Sequence, residues 1–310
     1  MTLIQPPMMV HGGTHPARAF RMMVRDLARG SQGVTEGNDL KVSSTATPGA
    51  GVRVGDGSAV VRGATFGQGA YTQYNVGDAS VPIAPTAGTG RSDLLCLRVE
   101  DPEYEGGRNP ATDQIGYFHV IPNVPATTST PPTGMTAIPL ARITLPPNCA
   151  TVTDAMITDL RQIANPRRER KLQIINGFTP SVFPADAGVW QPNWPPNGVV
   201  NVDVPAWAVS ANFVTTLAGL RVYGETFIGF RNNWAGAPGA EFQVDTDTIT
   251  AYSNVNVLAS DTPRITAPMR GTRQQLRLQG GRYNWWAKGG AEVNSSTALI
   301  FDTEFLEGVY

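Results

Sequence analysis

The chain has 310 residues, 41% of them hydrophobic and 16% charged, with a formal net charge of −1 at pH 7. That length suits two domains of ordinary size, each with a core of its own. Charge is spread evenly, 11 basic and 11 acidic residues in 1–150 against 13 and 14 in 151–310, which argues against nucleic acid or an anionic membrane as partner.

Thirty-three glycines and 25 prolines point to many short strands joined by tight turns. The two cysteines, Cys96 and Cys149, each lie in or beside an apolar run. They read as small buried hydrophobes rather than a bridge or a metal pair. No run approaches the roughly 18 apolar residues of a spanning helix, so no membrane insertion is expected. The stretch MTLIQPPMMVHGGTHPARAF lacks the apolar core of a secretory signal, and synthesis and folding in a cytoplasm are expected.

Taken in order, residues 1–13 read as an extended arm broken by Pro6-Pro7 and Gly12-Gly13. Thr14 reads as a helix N-cap with Pro16 in the first turn. Phe20, Met23, Val24 and Leu27 recur at helical spacing up to Gly30, which predicts an amphipathic helix of about four turns. From Gly33 the period becomes two. VRVGDGSAVVRG reads as a hairpin, GATFGQGAYTQYN as short strands, and Val81-Pro82-Ile83 as an edge, where proline is tolerated. DLLCLRVE at 93–100 reads as a central strand and 117–120 as another, with exposed loops at 101–113 and 127–134. IPLARITLPPNCATVTDAMITDLR (138–161) then reads as a strand, a Pro-Pro-Asn turn and a helix. In that helix Met156, Ile157, Leu160 and Ile163 share one face.

Asn165-Pro166 stops that helix. Arg167, Arg168, Arg170 and Lys171 follow, and the reading preferred for this basic cluster is a solvated linker. Beyond it the pattern is again β, with short candidates at 199–204, 211–220, 221–230, 242–244, 248–252, 255–258, 263–266, 274–279 and 298–306. That spacing predicts a β-sandwich or jelly roll.

The catalytic inventory is thin. His11 and His15 straddle two glycines, and His119 lies in a strand-like run. There is no nucleophile elbow, P-loop or dinucleotide fingerprint. Asp245 and Asp247, like Asp101, Glu103 and Glu105, alternate as a solvated face or, less often, a calcium-binding loop would. No catalytic residues, no metal and no cofactor are expected, and the chain does not read as an enzyme. The positive signal is aromatic: all six tryptophans fall in the second half. Trp190 and Trp194 lie in VWQPNWPPNG, Trp234 follows Asn232 and Asn233, and Tyr283, Trp285 and Trp286 cluster in GGRYNWWAKGG. Rings beside amides and guanidinium groups suit sugar binding. The competing reading is that they plug a sandwich end or a subunit interface.

The first half is similar to a known family. The order of N-terminal helix, VRVGDGSAVVRG, QGAYTQYN, SDLLCLRVEDPEYEG and IPLARITLPPNCATVTDAMITDLR resembles the N-terminal region of minor tail proteins of siphophages that infect actinobacteria, over about residues 15–165. Arginine outnumbers lysine 21 to 3, in keeping with a GC-rich host. The resemblance implies an assembly module at the tail tip or baseplate, a homotrimer, contacts with other phage tail-tip proteins, and a distal domain that meets the host envelope.

The expectation is a mainly β virion protein with two β-rich domains. Residues 1–165 form a sandwich-like attachment and trimerisation domain with flanking helices. Residues 166–198 are a linker, and 199–310 a sandwich or jelly-roll head that binds host-envelope glycan through Trp190, Trp194, Asn232, Asn233, Trp234, Tyr283, Trp285 and Trp286. Met156, Ile157, Leu160 and Ile163 are the candidate oligomer interface. The alternatives are a tail-tip scaffold without receptor binding, and a cell-wall glycan hydrolase using Asp245 or Asp247.

Overall fold

The computed structural model describes residues 6–47, 49–184, 190–282 and 289–310, without the side chains of Thr248 and Arg282. The chain is mainly β, as expected. It divides into two compact units, Met1–Pro166 with Gly308–Tyr310, and Arg167–Glu307. The backbone therefore passes between units twice, and its last three residues rejoin the first.

The first unit opens with helix α1 (Ala17–Leu27). Pro16 takes the N-cap position and no side chain caps the helix, so Thr14 does not serve. The helix has 11 residues, about three turns, and stops where Arg29 and Gly30 adopt φ of 53° and 70°. Strands β1 (Gly33–Val34), β2 (Val42–Ser44), β3 (Gly51–Val54), β4 (Gly57–Arg62), β5 (Ala70–Asn75) and β6 (Ala79–Pro82) follow. Then come β7 (Arg91–Val99), β8 (Gly116–Val124), β9 (Ala137–Leu145) and β10 (Ile157–Asp159).

They form three sheets, ordered β1-β4-β5, β2-β3-β6 and β10-β9-β7-β8. All three contribute to one core, through Val61 from the first, Val52 and Val81 from the second, and Leu97 and Leu140 from the third. Leu94, Cys96 and Ala137 form a smaller cluster on the other face of the third sheet. Burial on both faces explains why DLLCLRV is apolar without alternation. The strand is central, as read.

The predicted VRVGDGSAVVRG hairpin does not form. β3 pairs with β2 and β6, whereas β4 pairs with β1 and β5. The Gly-Asp-Gly turn is tied instead to the preceding segment, Gly55 N donating to Lys41 O at 3.0 Å and Leu40 N to Asp56 O at 2.8 Å. A turn anchored sideways sends its two arms into different sheets.

The predicted helix after Pro146-Pro147-Asn148 is also replaced. A single 3-10 turn (Asp154–Met156) leads into β10, which returns antiparallel onto β9, Ile157 opposite Ile143. The β9 edge offers unpaired backbone groups, and satisfying them outweighs a weak helical pattern. Met156, Ile157 and Ile163 pack against the main core, and Leu160 against the smaller cluster. These four residues share no helical face, so the proposed interface does not exist in that form.

The acidic alternation at 101–105 pins α1. Arg21 contacts Glu103 Oε2 at 2.6 Å and Asp101 Oδ2 at 3.4 Å, Arg18 pairs with Glu103 and donates to Tyr104 Oη at 2.9 Å. Hydrogen bonds from Arg21 and Arg18 hold the Glu103 carboxyl down at about 2. Among the described residues no group of three His, Cys, Asp or Glu side chains is placed to hold a metal ion.

The second unit comprises β11 (Arg168–Asn176), β12 (Ser181–Val182), β13 (Trp190–Gln191), β14 (Val199–Asp203), β15 (Ala208–Trp234), β16 (Ala237–Asp261), β17 (Arg273–Arg282), β18 (Gly290–Val293) and β19 (Ala298–Glu307), in one nine-stranded sheet. Its spine is the hairpin of β15 and β16, 27 and 25 residues long. Ala235 and Gly236 turn it with φ of 51° and 88°, the signature of a primed two-residue turn. β15 pairs with β19 over 208–218, β18 over 221–223 and β17 over 228–234. Register shifts near Gly219 and Gly224 bend it, as bulges do.

The hairpin curls far enough to meet itself. A Cβ on Gly239 at the start of β16 would collide with the Asp261 carboxylate at its end. Trp234 packs on Phe213 with ring centroids 4.8 Å apart, and Asn232 Nδ2 donates to Ala259 O at 3.2 Å. The remaining seam is laced by side chains from β11 to β14, Lys171 Nζ to Asp203 O at 2.6 Å and Gln173 Nε2 to Asn201 O at 3.3 Å. The sheet thus closes like a barrel around one core.

The predicted linker is structural as well. β11 pairs with β19 along its full length. Its basic cluster is an ion-pair ladder, Arg167 to Glu307, Arg168 to Glu304 at 3.9 Å and Arg170 to Asp302. Cross-strand acids on β19, more than a hundred residues away in sequence, are what convert a charged stretch into a strand.

Candidate functional site

The structure sorts the predicted aromatic residues into buried and accessible groups. Trp194 and Trp234 are 2% and 3% exposed. Trp194 sits edge-on to Phe183 at 4.8 Å and tilted against Phe230 at 6.1 Å. Asn232 is buried and bonded to the backbone of β16. These three belong to the core and cannot meet a ligand from solution. Asn233 is half-buried beside the β15–β16 turn. Tyr283, Trp285 and Trp286 lie outside the described residues.

Trp190 is accessible, and its placement is specific. It pairs with Gly281 of β17, which in turn faces Gly229 of β15. A Cβ on Gly281 would come within 2.8–3.0 Å of the indole, and one on Gly229 within 3.2 Å of its Cη2. The two glycines leave a flat bed of backbone on which the ring rests, a close approach only glycine permits. The Arg231 guanidinium lies 3.9 Å from the ring centroid, within cation–π range. Arg231 Nε donates to Gln279 Oε1 at 3.2 Å. Burial draws the Arg231 guanidinium below its ordinary value, and Glu241 opposes that shift.

A second cluster stands further back on the same strand. Tyr252 of β16 is half exposed, and Arg221 lies over its ring at 3.6 Å. Tyr223 meets Tyr252 edge-on at 5.0 Å. Arg221 Nη1 is held by Glu292 Oε1 at 2.8 Å. Core residues Leu220 and Val222 alternate with Arg221 and Tyr223, and Ile228 and Phe230 with Gly229 and Arg231. Both clusters therefore lie on the outside of β15, one on each side of the Gly224 irregularity.

The described ends of the segment 283–288 fall between them. The chain leaves β17 at Arg282, opposite Ile228, and enters β18 at Gly290, opposite Tyr223. Sequence reasoning found Trp190 but missed Arg221, Tyr223 and Tyr252, and it set Arg231 beside Trp234 in RNNW rather than over Trp190. Their signal is the alternation in RVYGETFIGFR, which changes phase at Gly224 and so does not read as one face. Chemically, each cluster offers an aromatic face, a guanidinium and a neighbouring acid or amide, the donors and surfaces that polyhydroxylated rings use. Asp245 and Asp247 are exposed on β16. His119 is half-buried, and its burial favours the neutral ring.

No protein family model matches the chain, and no curated protein matches it. Among solved structures it is similar to that of the infectious bursal disease virus Gx strain, with 11% identity over 91% of this chain and 72% of that one at a TM-score of 0.26. It is also similar to the infectious bursal disease virus VP2 subviral particle, with 10% identity over 90% and 76% at a TM-score of 0.25. The Bacillus thuringiensis delta-endotoxin Cry8Ea1 shares 9% identity over 89% and 51% at a TM-score of 0.22. Two of these three are viral particle structures, and TM-scores of this size decide neither a fold family nor a function.

Proposed function

We propose that the chain is a structural virion protein of a phage tail tip or baseplate. It is a homotrimeric minor tail protein whose first unit attaches to other tail proteins and whose second unit adheres to host-envelope glycan. It performs no reaction, and adhesion is reversible and multivalent. The observation that carries the reading is the aromatic–arginine stripe on the outside of β15, Trp190 with Arg231 and Tyr252 with Arg221. The sequence resemblance of residues 15–165 supports the tail assignment. Contacts of this kind are individually weak, and three linked copies raise the effective concentration enough to make them useful.

The test is binding of the purified full chain to cell-wall polysaccharide from actinobacteria, followed by tryptophan fluorescence and by retention on the insoluble wall. Wild type is expected to bind, and the double variant Trp190→Ala/Tyr252→Ala to lose at least tenfold in affinity with an unchanged melting curve. A folded double variant that binds like wild type refutes the assigned stripe. A wild type that binds no wall material favours the scaffold, and soluble wall fragments released by wild type but not by Asp247→Asn favour the hydrolase.

A further inference from the structure

We propose that the open edge of β8 is a strand-addition site, which takes an extended, uncharged segment of a partner polypeptide. The inference uses the first unit alone and does not rest on the adhesion reading. The three sheets of that unit each end on one side, at β5, β6 and β8. All three ends border one cleft of about 600 Å³, lined among others by Gln73 of β5, Ser80 and Val81 of β6, and Gly116 and Phe118 of β8. Among the described residues no main-chain hydrogen bond joins these three strands to one another. A row of open backbone donors and acceptors at the strand repeat is matched by another extended main chain.

Three observations specify the occupant. First, β8 leaves apolar side chains half-buried on both faces, Phe118 and Val120 against the main core and Ile121 against the smaller cluster. A strand laid beside β8 would finish covering both faces, so the incoming segment is apolar without strict alternation, as β7 is on the other side. Second, none of the side chains lining the cleft is charged, and a charged segment would lose its hydration there without a partner. Third, the cleft admits one strand. With about 4.8 Å between strands, about 10 Å between layers and about 3.3 Å per residue, an extended residue fills about 160 Å³, so the cleft holds about four. β5 and β6 form its other walls, which leaves no room for the edge of a second folded sheet and so excludes β8-to-β8 pairing of two copies. The receiving stretch is also bounded. Past Ile121 the edge is stopped by Pro122, which has no N–H, and by Asn123, whose N donates to Asp93 Oδ1 at 3.0 Å.

The experiment selects random peptides about a dozen residues long on the full chain, then titrates the best binder against wild type and against Ser80→Trp, which fills the cleft from the β6 wall. Wild type is expected to select peptides rich in β-branched and aromatic residues, with no proline or charge at their centre. N-methylation of alternate central amides should weaken binding at least tenfold in one phase and leave it unchanged in the other, because successive N–H groups of a strand point to opposite sides. Ser80→Trp should lose at least tenfold in affinity with an unchanged melting curve. If that variant misfolds, amide exchange on wild type replaces it, and the peptide should protect residues 116–121 while leaving β15 as it was. The proposal is overturned if no peptide is selected, if both N-methylated phases bind like the parent, or if folded Ser80→Trp binds like wild type. Amides of 116–121 left unprotected by the peptide, or protected by wall polysaccharide instead, overturn it equally.

Discussion

The two units solve the same problem, enclosing an apolar core with β-structure, by opposite means. Among the described residues the first uses ten strands in three sheets, with the chain changing sheet between neighbours such as β3 and β4. The second hangs one sheet on a single hairpin that curls until its ends touch. In the first unit Gly63, Gly69 and Gly77 fall between strands, while Pro122 and Pro139 lie inside β8 and β9 beside register shifts. In the second, Gly219 and Gly224 fall inside β15 and become bends. The same breaker residue is a stop or a hinge according to whether a partner strand continues past it.

The contrast is open to direct attack, because the two units carry different probes. All six tryptophans lie in the second unit and both cysteines in the first. The largest expected effect is Trp194→Ala. It removes a ring packed on Phe183 and Phe230 and should destabilise the second unit by about 3–5 kcal/mol, seen as an earlier tryptophan-fluorescence transition in urea. If the units unfold independently, thiol accessibility in the first unit should be unchanged.

The matching change in the first unit is Arg161→Met. Arg161 has a fully buried side chain. It clamps Asp159 at 2.7 Å and donates to Asp39 O at 2.6 Å and to Tyr310 O at 3.4 Å. Removing it strands those acceptors and should destabilise by about 3 kcal/mol, discounted because Asp159 reaches solvent. The readout is faster labelling of Cys96, whose thiol burial pushes up to about 12 and which should be inert in the folded protein.

A smaller, pH-dependent effect belongs to α1. The Glu103 carboxyl is depressed to about 2 by Arg21 and Arg18, below an unfolded value of about 4.3. Its contribution is therefore complete above about pH 4.3 and lost as pH falls toward 2. Amide exchange in α1 should accelerate over that window, and Glu103→Gln should flatten the dependence. Smallest of all is Arg170→Gln at the exposed ladder of β11. It should leave the melting transition where wild type has it, because water and salt screen a pair this exposed, for all its conspicuous charge.

Much of the first unit was legible in the sequence. β7 was read as central from DLLCLRV, β6 as an edge from Pro82, and α1 from its apolar spacing. What failed there was decided by distant partners. Ile157 became a strand residue because Ile143 offered it a ladder, and no local pattern announces that. In the second unit, β15 was read as two strands and β16 as three fragments, since each bulge resets the alternation. The same resets hid Arg221 and Tyr252 from the candidate site. Trp194 and Trp234 were misplaced for a different reason. Proline and asparagine around Trp194 suggest a loop, yet its ring packs inward on Phe183; Trp234, after two asparagines, ends strand β15 and packs inward on Phe213.

The double passage of the backbone has a mechanical consequence. Arg167 and Glu307, the first and last residues of the second unit, are joined by backbone and side-chain bonds, Glu307 N to Arg167 O at 3.1 Å and Arg167 N to Glu307 Oε2 at 2.8 Å. Residues 308–310 belong to the first unit, where Val309 packs on the core and Tyr310 N donates to Gly37 O at 3.0 Å. The second unit thus clasps its own two ends, and a load applied to either one is taken by that clasp before it reaches the sheet.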